Sequence, residues 1–430
     1  MDKARDAALK IIYDTLENDS FLNIAYKNVT KAENFSGKDA AFIKELAFGT
    51  VSNKITIDYY LSHFIKSKSK VSPYVLNILR LGVYQLKFTD KIPPSASVNE
   101  SVKLCEKYAR FSQKGFVNAV LRNVERAEKI EFPDKNDKSY LSIKYSFTPS
   151  MTGALVKAYG KEFTEELMAS LNKSPKLSVR VNILKISRDE LIDKLSQKGI
   201  ECEINEQTPC GIFLKNIGSL EALDEYKDGL FTVQDTASQI ASLTLNPKSG
   251  DLVMDLCASP GGKTTHLAEL MGNKGEILAY DLYEKRLLSV DDNAKRLGIS
   301  IIKTEARDSS SVINELTGKA DKVLLDAPCS GWGVIRRKPD IKYKSEKTDY
   351  KELNLVQKAL INTASKYLKA GGEMVYSTCT LNIGENERIV NSFLEENPDF
   401  TLLEKKTYFP NVDGTDGFFI SKLRKKKEEE

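Results

Sequence analysis

Asp255-Leu256-Cys257-Ala258-Ser259-Pro260-Gly261-Gly262-Lys263-Thr264-Thr265 is the stretch on which the fold of this chain turns. A buried strand runs into a turn containing two glycines, and a helix follows. That order aims backbone N–H groups at a ligand, and glycines, lacking Cβ, let the backbone approach it closely. The turn is not a phosphate loop, because GxxxxGK[ST] requires a glycine where Cys257 stands. Nor does it contain GxGxxG.

Downstream, strand and helix alternate in the βαβ manner, which predicts a doubly wound α/β domain over 230–430. Strands are expected at Asp251–Cys257, Glu276–Asp281, Ser300–Thr304, Lys322–Asp326 and Glu373–Thr378, with helices at Glu284–Leu297 and Asp349–Leu368. Phe400–Glu404 and Gly417–Leu423 read as last extended segments, and the charged tail Arg424–Glu430 is expected to fray. Carboxylates recur where these strands end: Asp281, then Asp308 in Ala306-Arg307-Asp308, then Asp326. An acidic residue in that position can accept hydrogen bonds from ribose hydroxyls. With the glycine turn beside them, a nucleoside-containing cofactor is the economical reading.

Two cysteines share that end of the sheet. Cys329 follows the fourth strand and Cys379 the fifth. A lone cysteine is usually a small buried hydrophobe. Neighbouring strands, however, lie roughly 4.8 Å apart and collect ligands at their carboxyl ends, so both thiols should emerge beside Asp326. Two thiols and a carboxylate converging on one crevice point to nucleophilic chemistry.

Upstream, residues 1–145 show helical spacing throughout, notably at Ala7–Leu16, Asp39–Phe64, Ser72–Phe88 and Ser95–Tyr108. Ser95, after Pro93-Pro94, is the expected N-cap. Glu125–Lys138 is polar and reads as a linker. Over 146–229 a small α+β domain is expected. Leu177–Ile183 alternates like a half-buried strand, Ser187 and Glu190 form a capping box before a helix to Gln197, and Ile200–Ile204 and Gly211–Lys215 are short strands.

Composition agrees with a multidomain intracellular chain. Its 430 residues exceed what one core usually organises. No apolar run reaches the ~18–20 residues of a membrane span, and the start is amphipathic rather than signal-like, so a cytoplasmic location is expected. Six cysteines without a CxxC pair exclude the usual zinc spacings and a disulfide scaffold, and two histidines leave little room for histidine catalysis. Residues 1–145 carry a balance of +7 and the remainder −3, which suggests that the first third meets a polyanion.

Asp255-x-Cys-Ala-Ser-Pro-Gly-Gly-Lys263, Asp326-Ala-Pro-Cys329-Ser-Gly and Ser377-Thr-Cys379-Thr resemble the motifs of the RNA (cytosine-C5) methyltransferases that use S-adenosylmethionine. Phe231-Thr-Val-Gln-Asp235-Thr-Ala-Ser238 and Arg336-Arg337-Lys338-Pro339-Asp340 match further segments of that family. Ser259 departs from it, standing where alanine is common. Lys114-Gly-Phe-Val-Asn-Ala-Val-Leu-Arg122 resembles the helical RNA-binding domain of the transcription antitermination factor family. The order of domains is similar to the small-subunit rRNA branch.

The resemblance implies a Rossmann-like class I methyltransferase domain behind an all-α RNA-binding domain and a small α+β domain. It implies S-adenosyl-L-methionine held by Cys257, Ala258, Ser259, Pro260, Gly261, Gly262, Lys263, Asp281, Asp308 and Asp326. Cys379 would add to cytosine C6, Cys329 would assist breakdown of the adduct, and Asp326 would hold the base edge. Lys263 would tune a thiolate or orient the base, and Arg336, Arg337 and Lys338 would hold phosphates. The implied substrate is a cytidine of 16S ribosomal RNA, with tRNA the alternative, and the implied enzyme is a monomer needing no metal and no membrane. A nicotinamide-dependent oxidoreductase would leave both cysteines unexplained, and a non-catalytic RNA-binding protein would leave the α/β half unexplained.

Overall fold

The computed structural model describes residues 2–127, 130–218 and 220–427. By its internal contacts the chain divides into two units. One comprises Met1–Lys173 with Ile335–Lys347, the other Ser174–Val334 with Thr348–Glu430.

The first unit is helical. Lys3–Leu16, Leu22–Ala32, Gly37–Ser52, Lys54–Ser62, Pro73–Lys87, Pro94–Tyr108 and Lys114–Arg126 enclose a core that includes Leu9, Ile12, Leu46, Ile78, Leu81, Val98 and Leu121. Helices Tyr140–Tyr145, Pro149–Tyr159 and Lys161–Leu171 complete it. Two expectations are corrected. The single segment Asp39–Phe64 is two helices broken at Asn53, whose side chain donates to the Gly49 carbonyl at 2.9 Å and so caps the first of them. Ser95 is not an N-cap: Pro93 holds that position and Pro94 begins the helix, where a missing N–H is no loss. The expected linker is partly ordered, since Glu125 and Arg126 end a helix and the Phe132 ring lies against Tyr59 and Tyr60. Residues 128 and 129 lie outside the described ones.

Residues 335–347 join this unit through Lys342. Its ammonium is fully buried, donates to the Ser52 carbonyl (2.9 Å) and Asn172 Oδ1 (2.6 Å), and lies 4.3 Å from the Phe147 ring centroid. Burial pushes its pKa well below the ordinary lysine value.

The second unit contains two sheets. The smaller is antiparallel, ordered β2-β3-β1-β4, with β1 Leu177–Val181, β2 Glu201–Ile204, β3 Gly211–Lys215 and β4 Phe231–Val233. The expected capping box forms, with Ser187 and Glu190 bonding reciprocally at the start of helix Arg188–Gln197. The half-buried reading of the first strand is corrected: Ser178, Arg180 and Asn182 are as buried as Val179 and Val181. Both faces of β1 are covered.

The larger sheet is ordered β10-β11-β9-β8-β5-β6-β7. Its strands are β5 Leu252–Asp255, β6 Glu276–Asp281, β7 Ile302–Ala306, β8 Ala320–Asp326, β9 Leu368–Thr378, β10 Phe400–Tyr408 and β11 Phe418–Lys425. β7, β6, β5, β8 and β9 run parallel, while β11 and β10 add antiparallel strands beyond β9. Parallel strands are buried on both faces, which explains apolar runs such as Val323–Leu325. β7 starts two residues later than expected because the Asn273 side chain takes the Ser300 N–H at 3.0 Å. Arg424 and Lys425 belong to β11 rather than to a frayed tail, and residues 428–430 lie outside the described ones. The chain proceeds from β5 through β6 to β7, then returns to place β8 on the other side of β5. The carboxyl ends of β5 and β8 therefore flank the topological switch point, where ligands bind in open α/β sheets. Among the described residues no helix is long and apolar enough to cross a membrane.

Candidate active site

The turn after β5 is shaped by Gly261, at φ +96°, and by contact with the helix Glu284–Leu297. A Cβ on Gly261 would lie 2.9 Å from Val290 Cα, so the position excludes any side chain. At Gly262 a Cβ would meet nothing nearer than Gln234 Nε2 at 3.8 Å, which leaves that backbone approachable. Ala258 N–H donates to the Tyr280 carbonyl at 2.8 Å and Ser259 N–H to Asp281 Oδ2 at 3.3 Å, tying the turn to β6. Asp281 also accepts from Tyr283 N–H at 3.3 Å and pairs with Arg286 at 3.4 Å. Beyond β7, exposed Asp308 accepts from Ser310 N–H at 2.9 Å, and Ser309 Oγ donates to the Leu256 carbonyl at 2.8 Å. Three strand ends, those of β5, β6 and β7, thus bring expected residues to the carboxyl end of the sheet.

Lys263 projects from the first turn of the helix Gly262–Leu270 and donates to Asp326 Oδ2 at 2.7 Å, while Ser377 Oγ donates to Oδ1 at 2.8 Å. The Asp326 and Cys379 charges outweigh burial and raise the Lys263 pKa. Asp255, buried at the end of β5, accepts from Thr264 Oγ1 at 2.7 Å. Burial pushes its carboxyl up to about 7 against the bond from Thr264. Burial and the Asp255, Asp326 and Asp281 charges also push the Cys257 thiol well up, so Cys257 stays protonated.

Cys329 and Cys379 meet, Sγ to Sγ, at 3.3 Å. Register makes this possible, because β8 and β9 pair in parallel with Asp326 opposite Ser377, and Cys329 lies three residues past Asp326 and Cys379 two past Ser377. The contact with Cys379, burial, and the Glu385 and Asp326 carboxylates push the Cys329 thiol well above its usual range.

Sequence reasoning missed the residues that hold these loops. Glu385, fully buried, accepts from Ser330 N–H (2.8 Å), Ser330 Oγ (2.5 Å) and Asn382 Nδ2 (2.9 Å). Gln357 Nε2 donates to the Pro328 carbonyl at 2.8 Å and to Glu385 at 3.3 Å. Arg180, on β1, reaches the helix after the glycine turn. It pairs with Glu269 (3.0 and 2.8 Å) and donates to the Gly262 carbonyl (2.7 Å), Thr265 Oγ1 (3.0 Å) and Gln234. No signal in the sequence marks Arg180, because the alternation of its strand assigns it to a solvent face. Arg336, Arg337 and Lys338 belong to the first unit and the crevice residues to the second. His266 is buried 3.7 Å from Cys210 and held neutral, chiefly by burial. Among the described residues no group of His, Cys, Asp and Glu is arranged to hold a metal.

Comparison with known proteins gives consistent matches. Residues 242–424 match the family described as 16S rRNA methyltransferase RsmB/F, residues 2–126 the NusB family, and residues 151–221 the ferredoxin-like domain of RsmF/B-like methyltransferases. The probable ribosomal RNA small subunit methyltransferase B of Bacillus subtilis (strain 168) is 35% identical over 441 residues, covering 98% of both chains. The ribosomal RNA small subunit methyltransferase B of Klebsiella pneumoniae (strain ATCC 700721 / MGH 78578) is 34% identical over 406 residues, covering 91% of each. Among solved structures, PH0851 is 27% identical with a TM-score of 0.83, covering 98% of each chain. NSun6 from Pyrococcus horikoshii with SFG, an S-adenosylmethionine analogue, is 27% identical with a TM-score of 0.59 and covers 66% of this chain and all of its own.

Proposed function

The chain belongs to the RsmB/F family of 16S rRNA methyltransferases, and from that premise we propose that it methylates C5 of a specific cytidine in 16S rRNA through a covalent cysteine adduct. The observation that carries this reading is the 3.3 Å contact between Cys329 and Cys379 beside the Lys263–Asp326 pair. A cytidine target also fits a cytoplasmic enzyme whose residues 1–145 serve RNA binding, whose residues 146–229 form a small α+β linker domain and whose residues 230–430 carry the chemistry.

S-adenosylmethionine is the proposed cofactor, and the residues present fit it. Asp281 has only 4% of its side chain exposed, and its three bonds use fewer than the about four lone-pair sites of a carboxylate, leaving an acceptor for ribose hydroxyls. The open backbone at Gly262 and the exposed Asp308 extend the cradle, with Cys257, Ala258, Ser259, Pro260, Gly261 and Lys263 completing the turn and Asp326 its far wall. When bound, the cofactor supplies an electrophilic methyl group.

Cytosine C5 is too weak a nucleophile without activation. The Cys379 thiolate adds to C6, forming an S–C6 bond and moving the C5–C6 π pair onto C5. Asp326, held by Lys263 and Ser377, receives the base edge and stabilises the proton that N3 takes from water during addition and returns to water when the adduct breaks down. After methylation, loss of the C5 proton to water lets the S–C6 bond break with its electron pair returning to Cys379. Cys329, touching the departing sulfur, assists that step. The base must lie in a single-stranded region or be extruded to reach the crevice.

Transfer of tritiated methyl groups to 16S rRNA, with tRNA as comparison, tests the substrate. The Cys379→Ala variant should lose both methyl transfer and the adduct, while Cys329→Ala should accumulate an RNA–protein adduct that survives denaturing electrophoresis. Adduct in the Cys379 variant and none in the Cys329 variant would make Cys329 the nucleophile.

A further inference from the structure

We propose that Glu385 is the positioning residue of the two-cysteine centre, bracing both cysteine loops and keeping the proton on Cys329 while Cys379 carries the thiolate. The inference rests on the proposed division of labour between the two sulfurs and adds what enforces it.

Glu385 binds the residue that follows each cysteine, one directly and one through a shared hydroxyl. Ser330 gives it both its N–H and its hydroxyl proton, at 2.8 and 2.5 Å. Ser330 Oγ also lies 2.8 Å from Thr380 Oγ1. With its own proton spent on Glu385, Ser330 must accept from Thr380 there, so the carboxylate orders the hydroxyls on both loops. The Glu385 carbonyl accepts from Tyr376 of β9 at 2.6 Å, and neighbouring Asn386 accepts from Thr378 Oγ1 at 2.5 Å and donates to the Thr380 carbonyl at 2.9 Å. Both strand ends are thereby tied to one short segment.

The charge of Glu385 adds direction. Its partners Ser330, Asn382 and Gln357 all donate and all are uncharged. These donors suit a carboxylate, which accepts at both oxygens. A buried anion stabilised only by dipoles retains its field in a low-dielectric interior. The contact with Cys379 belongs to both sulfurs alike, but burial and the Glu385 and Asp326 carboxylates also oppose a thiolate on Cys329. Cys379 interacts with the Lys263 ammonium. The Glu385 carboxylate acting on Cys329 and the Lys263 ammonium acting on Cys379 polarise the sulfur pair as Cys329 S–H toward Cys379 S⁻. The same S–H then hydrogen-bonds the Cys379 thiolate as it leaves C6.

Alkylation reads this without any RNA. Full-length protein is treated with iodoacetamide across a pH series, and the labelled Cys329 and Cys379 peptides are quantified by mass spectrometry. In the wild type, Cys379 should label with the lower pH midpoint. In Glu385→Gln the Cys329 to Cys379 labelling ratio at neutral pH should rise roughly tenfold, as a fall of about one unit in the Cys329 midpoint requires. Glu385→Asp, which keeps the charge, should restore the wild-type order. A role confined to loop rigidity would change both labelling rates without moving either midpoint. The proposal is overturned if Cys329 has the lower midpoint in the wild type, a result independent of whether any variant folds. Unchanged midpoints in Glu385→Gln overturn it equally. Absence of methyl transfer to 16S rRNA by the wild type would remove the proposed function, whereas the labelling order alone decides the role of Glu385.

Discussion

Asp255 ends β5 with its carboxyl buried, and desolvation raises its pKa from an ordinary 3.8 to about 7. Folding therefore increases its affinity for a proton. Between about pH 4 and 7 the folded chain binds more protons than the unfolded one, and stability falls as pH rises through that window. Asparagine at this position keeps an acceptor for Thr264 Oγ1 and has no proton to lose. Relative to Asp255→Asn, the wild-type protein without cofactor should lose up to about 4 kcal/mol across the window, with most of the loss complete just above its upper end. Urea unfolding of both proteins over a pH series measures the gap. A gap independent of pH would mean that the Asp255 carboxyl is ionised throughout.

At the scale of elements, the glycine turn is held from two sides, by helix Glu284–Leu297 at Val290 and by Arg180 of β1. Arg180 and Glu269 are both essentially excluded from solvent, which makes their pairing costly to break and of small net worth. Arg180→Met leaves the Glu269 carboxylate buried alone and should destabilise by about 3–5 kcal/mol. Arg180→Met combined with Glu269→Leu should recover most of that loss in thermal or urea unfolding. A double variant as unstable as the single one would shift the weight onto the bonds to Gly262 and Thr265. This contact also marks where the sequence stops being readable. Strands β5, β6, β8 and β9, the glycine turn and the placement of both cysteines follow from apolar runs and turn residues, because parallel strands bury both faces. The alternation of Leu177–Ile183 assigns Arg180 to a solvent face, and only the packing of a second element against β1 reverses that. Glu385 is hidden for a related reason: its partner Ser330 is 55 positions away, and no local pattern encodes a loop-to-loop bond.

For the whole molecule the uneven charge is the governing feature, with +7 carried by residues 1–145. Removing the helical residues would not test its meaning cleanly, since Ser52 and Tyr145 supply carbonyls to the buried Lys342 ammonium and its desolvation would lose its compensation. Exposed lysines offer a gentler probe. Lys66, Lys70 and Lys91 lie on the surface of the first unit, and replacing each with glutamine leaves its core untouched. If this unit holds the phosphate backbone, RNA affinity should fall steeply with salt, and each lost contact should flatten the log–log slope by roughly 0.7–0.9. The triple variant should then show a slope shallower by about 2 at unchanged affinity for S-adenosylmethionine, measured by filter binding and calorimetry. An unchanged slope would place the phosphate contacts elsewhere, with Arg336, Arg337 and Lys338 next to be tested. A lowered cofactor affinity would show that the lysines act on folding rather than on RNA.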